Sequence, residues 1–417
     1  MIGVARALEL LGRRELSAEQ LVRDCLEAVA AREPLVKAWE TLDAEGALRE
    51  ARRIDGLSER PLLCGVPVGL KDLIDTSEIP TGYGSPLFRG HRPAADAACV
   101  RLLREAGAVF LGKTVTTEFA LFWPGKTRNP RDPARTPGGS SSGSAAAVSA
   151  GMVPFTLGSQ TAASVIRPAS FCGAIGWKPA YGWCPLAGVH PLAPSLDTLG
   201  FFVQDLADVP LVLRALAPGR PAVGRSEPPR RPVYSLCRTE AWDRAEPWAR
   251  AAVEESAARL ARAGAEVREL VLPSGLVDAQ LAIMGSEAVT SLGGYSTDGL
   301  SPLLRDFLAA SRAISAVETA AARALAATAR ALVSHHLSEV DAVMTLAAPG
   351  EAPADPTVTG DPLFSRIWTL LGHPSCSLPL LRGPAGMPLG LQLIAADDQR
   401  LLRAASFAWE ALGLPTD

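Results

Sequence analysis

Residues 137–179, PGGSSSGSAAAVSAGMVPFTLGSQTAASVIRPASFCGAIGWKP, decide how this chain is read. Gly138 and Gly139 lead into Ser140, Ser141, Ser142 and Ser144, an alanine-rich run follows, and a second small-residue turn comes at 161–164. A backbone free of bulky side chains turns tightly and aims several N–H groups at one point, which is how an oxyanion is held. Residues 144–150 read as a helix that begins at the serine loop, its N-terminus toward the serines.

Upstream, residues 62–74 form an apolar run that reads as a buried strand with Lys71 near its end. A helical stretch at 96–105 and a short apolar strand at 108–111, running into Gly112, Lys113 and Thr114, complete a strand–helix–strand crossover and an α/β sheet. Residues 2–60 read as helices with a structural role. Ser17 and Gln20 make a capping box before Leu21, Val22, Leu26 and Val29, and a second periodic segment starts near Asp43.

Downstream, the text is loop-like to Asp197, and PGRPAVGRSEPPRRP at 218–232 is the clearest surface connection. A strand at 233–237, a helix at 247–263 and a strand at 267–272 resume the α/β pattern, so the chain reads as one continuous domain with a large excursion. The alanine-rich helix at 309–336 belongs to that excursion. Strands at 343–346, 375–380 and 389–394 and a helix at 399–412 close the chain.

Composition narrows the function classes. The 417 residues are 48% hydrophobic and 20% charged with a formal net charge of -3, and no Lys/Arg run is long enough to track a phosphate backbone, so nucleic acid is not expected as a ligand. Seven scattered cysteines show no Cys-x-x-Cys pair and no metal-ligand spacing with the five histidines, which fits thiols in a reducing compartment and no metal. The first residues lack a signal-peptide pattern and no apolar stretch spans a bilayer, so a cytoplasmic protein is expected. Of 41 basic residues only five are lysine, at 37, 71, 113, 126 and 178. Where only positive charge is wanted the chain uses arginine, and lysine alone of the two loses its proton readily on burial. A lysine kept between Leu70 and Asp72 is therefore a candidate base.

Three blocks in order resemble the amidase signature family: Gly65-Val66-Pro67-Val68-Gly69-Leu70-Lys71-Asp72, the glycine–serine block at 138–144, and Gln160-Thr161-Ala162-Ala163-Ser164 with Arg167-Pro168. The likeness continues through Lys178-Pro179 and the Ser195-Leu196-Asp197-Thr198-Leu199-Gly200 segment, and weakly to the C-terminus. The Ser164-Val165-Ile166-Arg167-Pro168 form is most similar to bacterial malonamidases. The resemblance implies a single α/β domain with a mixed central sheet covered by helices on both faces. It comprises a helical arm (1–60), a catalytic core (61–217), the connection (218–232) and the rest of the core (233–417) with a helical excursion at about 276–340.

It also implies a cofactor-free serine hydrolase acting on an amide, with esters or carbamates (urethanes) open to the same acyl-enzyme. Carried over by motif, Ser164 is the nucleophile, Ser140 the bridging serine held by a cis peptide bond, and Lys71 the base. The backbone N–H groups of Thr161, Ala162, Ala163 and Ser164 form the oxyanion hole. Such a relay needs an uncharged Lys71, because an ammonium has donors only. Asp72 opposes that unless strand alternation turns it to the other face. Many relatives carry Gly-Gly where this chain has Ala162-Ala163, which would be strained if the turn required positive φ.

Arg167 either binds a substrate carboxylate or braces the Pro168 loop, and Phe119, Phe122 and Trp123 either line the pocket or belong to the core. Lys113 and Lys178 are expected to make structural hydrogen bonds, and His335 and His336 to lie at the surface. The pocket is written mainly between about 276 and 359 and near 364–373. Partners are then a small-molecule amide, ester or carbamate, with no nucleic acid or membrane, and a homodimer is allowed.

Two other catalytic readings compete. Gly139-Ser140-Ser141-Ser142-Gly143 also fits the Gly-x-Ser-x-Gly elbow, with Asp341 and His373 in the required order, but that elbow needs a strand immediately before it and residues 127–137 are polar and proline-rich. The same three relay residues would serve an ammonia-releasing glutaminase subunit of a tRNA-dependent amidotransferase. A non-catalytic binding homologue is the third alternative.

Overall fold

The computed structural model describes residues 2–224 and 231–413. Eleven strands are found among them: β1 (Trp39–Leu42), β2 (Pro67–Lys71), β3 (Val109–Thr114), β4 (Phe155–Gln160), β5 (Ile175–Lys178), β6 (Thr198–Val203), β7 (Val233–Cys237), β8 (Glu266–Leu270), β9 (Ala342–Leu346), β10 (Ser375–Arg382) and β11 (Pro388–Ile394). They form one sheet in the order β1-β3-β2-β4-β6-β5-β10-β11-β9-β7-β8. The β3-β2-β4 and β8-β7-β9 ladders are parallel, and the intervening β6, β5, β10 and β11 are joined by antiparallel pairing. The fold is thus α/β with a large mixed central sheet and helices packed over it.

Strands β2, β3, β4 and β6 are buried at every residue, the pattern of central strands covered on both faces. In the β2–β4 ladder Leu70 sits opposite Leu157, so Lys71 and the pair Ser159–Gln160 emerge at the same carboxyl end of the sheet. Parallel strands place ligands outside that end, because the loops that follow converge there. Helix Ser142–Ser149 packs on β2, β3, β4 and β6 and brings the serine loop to the same end. Its seven residues from Ser142 to Val148 are buried, so small side chains are what let it sit this deep.

Several expectations need correction. The arm at 2–60 is not wholly helical: between helices Ala18–Val36 and Ala44–Asp55 the chain lays down β1, which pairs antiparallel with β3 at the sheet edge. Four residues are too few to show a period. The strand expected over 62–74 shrinks to β2, since residues 62–65 form a turn with Gly65 at φ 88°. The single helix expected over 309–336 is two, Pro302–Ser311 and Ala316–Glu339, because Ser315 and Glu318 close a reciprocal capping box that starts a new helix. Residues 225–230 of the proline-rich connection lie outside the described residues; 218–224 form no helix or strand.

Helices Leu276–Leu292, Pro302–Ser311 and Ala316–Glu339 fall between β8 and β9, and the first packs on both others and on Leu363–Leu371. Ser17 caps helix Ala18–Val36 by accepting from the Gln20 N–H. The seven cysteines are buried and form no disulfide. Among the described residues no helix is long and apolar enough to cross a membrane.

Candidate active site

Lys71 ends β2 and is fully buried, with Nζ 2.7 Å from Ser140 Oγ and 2.9 Å from Ser159 Oγ. Burial pulls its proton affinity down to about 7, and the carboxylate of Asp197 only partly opposes the fall. An amine with that affinity is substantially neutral near neutral pH and can accept a proton. Asp72 does not spoil this. As the next residue along, it turns toward Lys113, 3.6 Å away, and accepts from the Gly82 N–H at 3.0 Å.

The serine cluster divides by role. Ser141 Oγ donates to the Ser159 carbonyl (3.2 Å), Ser142 Oγ to the Val115 carbonyl (3.3 Å) and Ser144 Oγ to the Leu157 carbonyl (2.8 Å), so these three fasten the loop and its helix to the sheet. Ser140 alone of the four meets the lysine. The Gly139–Ser140 peptide bond is cis.

The second turn, after β4, is held from several sides. Gln160 Oε1 accepts from the Val165 and Ile166 N–H groups at 2.8 and 3.0 Å. The Thr161 carbonyl accepts from Gln280 Nε2 (2.9 Å) and the Ala162 carbonyl from Thr369 Oγ1 (2.7 Å). Neither Ala162 nor Ala163 is among the residues with positive φ, so replacing Gly-Gly by Ala-Ala costs no backbone strain here. Ser140, Thr161, Ala162, Ala163 and Ser164 line one pocket. The structure therefore gathers all three motif blocks into one site.

The Amidase family profile matches residues 20–402. This chain belongs to the amidase family. A glutamyl-tRNA(Gln) amidotransferase subunit of Koribacter versatilis is 31% identical over 96% of each chain. A crystal structure of an amidase superposes with a TM-score of 0.90 at 30% identity, covering 99% of this chain and 100% of that one. Peptide amidase from Stenotrophomonas maltophilia superposes with a TM-score of 0.82 at 27% identity, covering 99% and 97%.

The pocket of this amidase-family chain carries two buried guanidinium groups. Arg167 donates through Nη1 to the Gly360 carbonyl (2.6 Å) and through Nη2 to the Gly139 carbonyl (2.8 Å), while its buried Nε has no partner. It thus braces the serine loop as well as lining the pocket. Arg366, on helix Leu363–Leu371, lines the same pocket and donates to Gln280 Oε1. Burial and the neighbouring Arg366 pull Arg167 down to about 9, and burial pulls Arg366 down to about 10. The carboxylate whose field reaches both, Asp361, is 3.0 Å from Arg244.

The aromatic expectations divide. Phe119 and Trp123 are not among the pocket residues: Phe119 is fully buried in a cluster with Tyr83, His190 and Tyr295, and Trp123 is 46% exposed. The chain turns between them through Ala120 at φ 62°, which brings Ala120, Leu121 and Phe122 to the pocket wall instead. Reading the sequence alone misses Arg366 and Gln280; an arginine inside the apolar run LFSRIWTLL is the available signal.

Lys113 Nζ meets the Ile74 carbonyl and Thr81 Oγ1, and Lys178 Nζ donates to the His373 carbonyl (2.8 Å), both structural bonds. His335 is exposed, whereas His336 is half-buried against Ser235 Oγ at 2.7 Å. No strand precedes the Gly139–Gly143 stretch, His373 Nε2 lies 3.3 Å from Ser334 Oγ, and Asp341 accepts from the Val233 N–H, so the elbow arrangement is not formed. No group of three or more His, Cys, Asp or Glu residues suited to a metal occurs among the described residues. A cleft of ≈ 620 Å³ lies elsewhere, and its Arg53 and Arg104 are already paired with Glu50 and Asp96.

Proposed function

We propose that this protein is a serine amidase that hydrolyses the C–N bond of a small acyl amide through a Lys71–Ser140–Ser164 relay. The observation that carries the reading is the buried Lys71 amine, poised near neutrality and 2.7 Å from Ser140 Oγ. Ser164 Oγ attacks the amide carbon; its proton passes to Ser140 Oγ as the Ser140 proton passes to Lys71 Nζ. The backbone N–H groups of Thr161, Ala162, Ala163 and Ser164 stabilise the oxyanion. The relay then returns the proton to the nitrogen, the C–N bond breaks and the amine leaves. Water, deprotonated by the same route, attacks the acyl-enzyme and releases the acid. Esters and carbamates enter through the same intermediate.

Two buried arginines beside the nucleophile, with Asp361, whose field reaches both, engaged by Arg244, favour an acyl part that carries a carboxylate. Both Arg167 Nη atoms are occupied by carbonyls, so Arg366 is the stronger candidate to meet it. Anilides, malonamate, carbamates and p-nitrophenyl esters, assayed with the wild type and Ser164→Ala, test the reading. Turnover of an amide that disappears in Ser164→Ala supports it, and equal turnover by the variant refutes it.

The likeness to a tRNA-dependent amidotransferase subunit over nearly the whole of both chains supports a second reading, an ammonia-releasing protein that works with partners. Glutaminase activity that appears only when partner subunits are added would favour it.

A further inference from the structure

Asp197 is buried at the start of β6, and its carboxylate accepts three bonds: Thr161 Oγ1 on one oxygen at 2.5 Å, and the Leu192 and Ala193 N–H groups on the other at 2.9 and 3.0 Å. Thr161 opens the turn that ends at Ser164, and Leu192 is part of the pocket wall. One side chain therefore ties the turn to the opposite wall. We propose that Asp197 is a positioning residue: by accepting from Thr161 Oγ1 on one oxygen and from the Leu192 and Ala193 N–H groups on the other, it fixes the turn that carries the oxyanion N–H groups and Ser164. The inference rests on the Lys71–Ser140–Ser164 reading above.

Among the carboxylates, Asp197 is the one whose charge acts on Lys71. Asp72 is turned to Lys113 on β3, and Glu287, whose field reaches Asp197, is bonded to Ser195 and Arg323. Burial raises the Asp197 carboxyl to about 6, so it is ionised where Lys71 titrates near 7, and its charge favours the ammonium form. Without it Lys71 would lose its proton at lower pH and be a weaker base.

Two substitutions separate the tie from the charge. In Asp197→Asn the amide oxygen can keep the Leu192 and Ala193 bonds while the NH₂ group donates to Thr161 Oγ1, since a hydroxyl can accept as well as donate. Geometry is retained and charge is lost. Thr161→Val breaks the tie and, because the Thr161 bond helps hold the Asp197 carboxyl down against burial, also weakens the charge near neutral pH. The readout is the rate at which a fluorophosphonate labels Ser164, followed from pH 5 to 9, which requires no knowledge of the natural substrate.

The expected result is an acid limb moved to lower pH with a lowered plateau in Asp197→Asn. In Thr161→Val the plateau falls about 5- to 10-fold, the worth of one buried hydrogen bond, and Thr161→Ser, which keeps the hydroxyl, restores it. Wild-type labelling in Thr161→Val, with or without a moved limb in a folded Asp197→Asn, overturns the inference while leaving the amidase reading intact. If Asp197→Asn does not fold, the Thr161→Val result decides. Absence of labelling in the wild type overturns the reading and the inference together.

Discussion

Lys71 Nζ and Ser140 Oγ lie 2.7 Å apart although 69 residues separate them in the chain. The contact exists because β2 and β4 run parallel as neighbours while helix Ser142–Ser149 packs across both, so the end of β2 and the serine loop meet at one end of the sheet. The proposed catalysis by this pair requires the amine without its extra proton. Because burial holds the Lys71 proton affinity near 7, kcat/KM for any amide substrate rises with pH through about 7 along a one-proton limb.

Lys71 costs the fold stability. An amine whose proton affinity is lower folded than unfolded makes the unfolded chain bind more protons between about 7 and the ordinary lysine value of 10.5, so its penalty is full below about 7 and relieved as pH rises through that window. Lys71→Met removes the penalty. Thermal melts at pH 6 should show Tm unchanged or raised, by up to roughly 2 kcal/mol of stability, with hydrolysis abolished.

Ser159 Oγ, 2.9 Å from Lys71 Nζ, orients the amine toward Ser140. Ser159→Ala should lower kcat about 5- to 10-fold with little change in KM, the worth of one orienting hydrogen bond of about 1 kcal/mol. A variant with wild-type kcat would show that Ser159 Oγ does not position the amine.

Gly143 lets the serine-loop helix touch the sheet. A Cβ there would run into the Ala38 carbonyl oxygen and the Val115 amide nitrogen, both backbone atoms, and the Gly143 N–H already donates to the Val115 carbonyl at 3.0 Å. Gly143→Ala should destabilise the protein by about 2–4 kcal/mol in urea melts, as overpacking does where backbone must move.

Arg366→Leu tests the acidic acyl group. The mono-amide of malonate and its neutral methyl ester should differ in kcat/KM in the wild type, and the preference for the anion should fall by roughly 10- to 100-fold in the variant, the loss of one charge-assisted bond.

The proposed relay is legible in the sequence because its chemistry is carried by rare residues in ordered motifs. Lys71 stands out among 41 basic residues of which five are lysine, and the serine loop and the turn at 161–164 are compositionally distinct. The parallel crossover β2–β3 and strands β7 to β11 are readable from apolar runs. Strands β4 to β6 are not: FTLGSQ and TLGFFV carry glycine and polar residues because they sit against the site, where Gly158 makes room for Ser141 and Phe202.

The pocket is the least legible part. Arg366 and Gln280 are 86 residues apart and meet only because helices Leu276–Leu292 and Leu363–Leu371 pack together. Proximity along the chain points Phe119 and Trp123 to the pocket, and a left-handed kink at Phe119 and Ala120 gives the place to Phe122 instead.

The central claim, an amine at position 71 that is uncharged at working pH, is open to direct measurement. With only five lysines in the chain, an NMR titration of lysine labelled with ¹³C at Cε resolves few signals, and the one missing from Lys71→Met belongs to Lys71. The account predicts that this signal titrates near 7. A Lys71 signal that stays in the ammonium form up to pH 10 would contradict it.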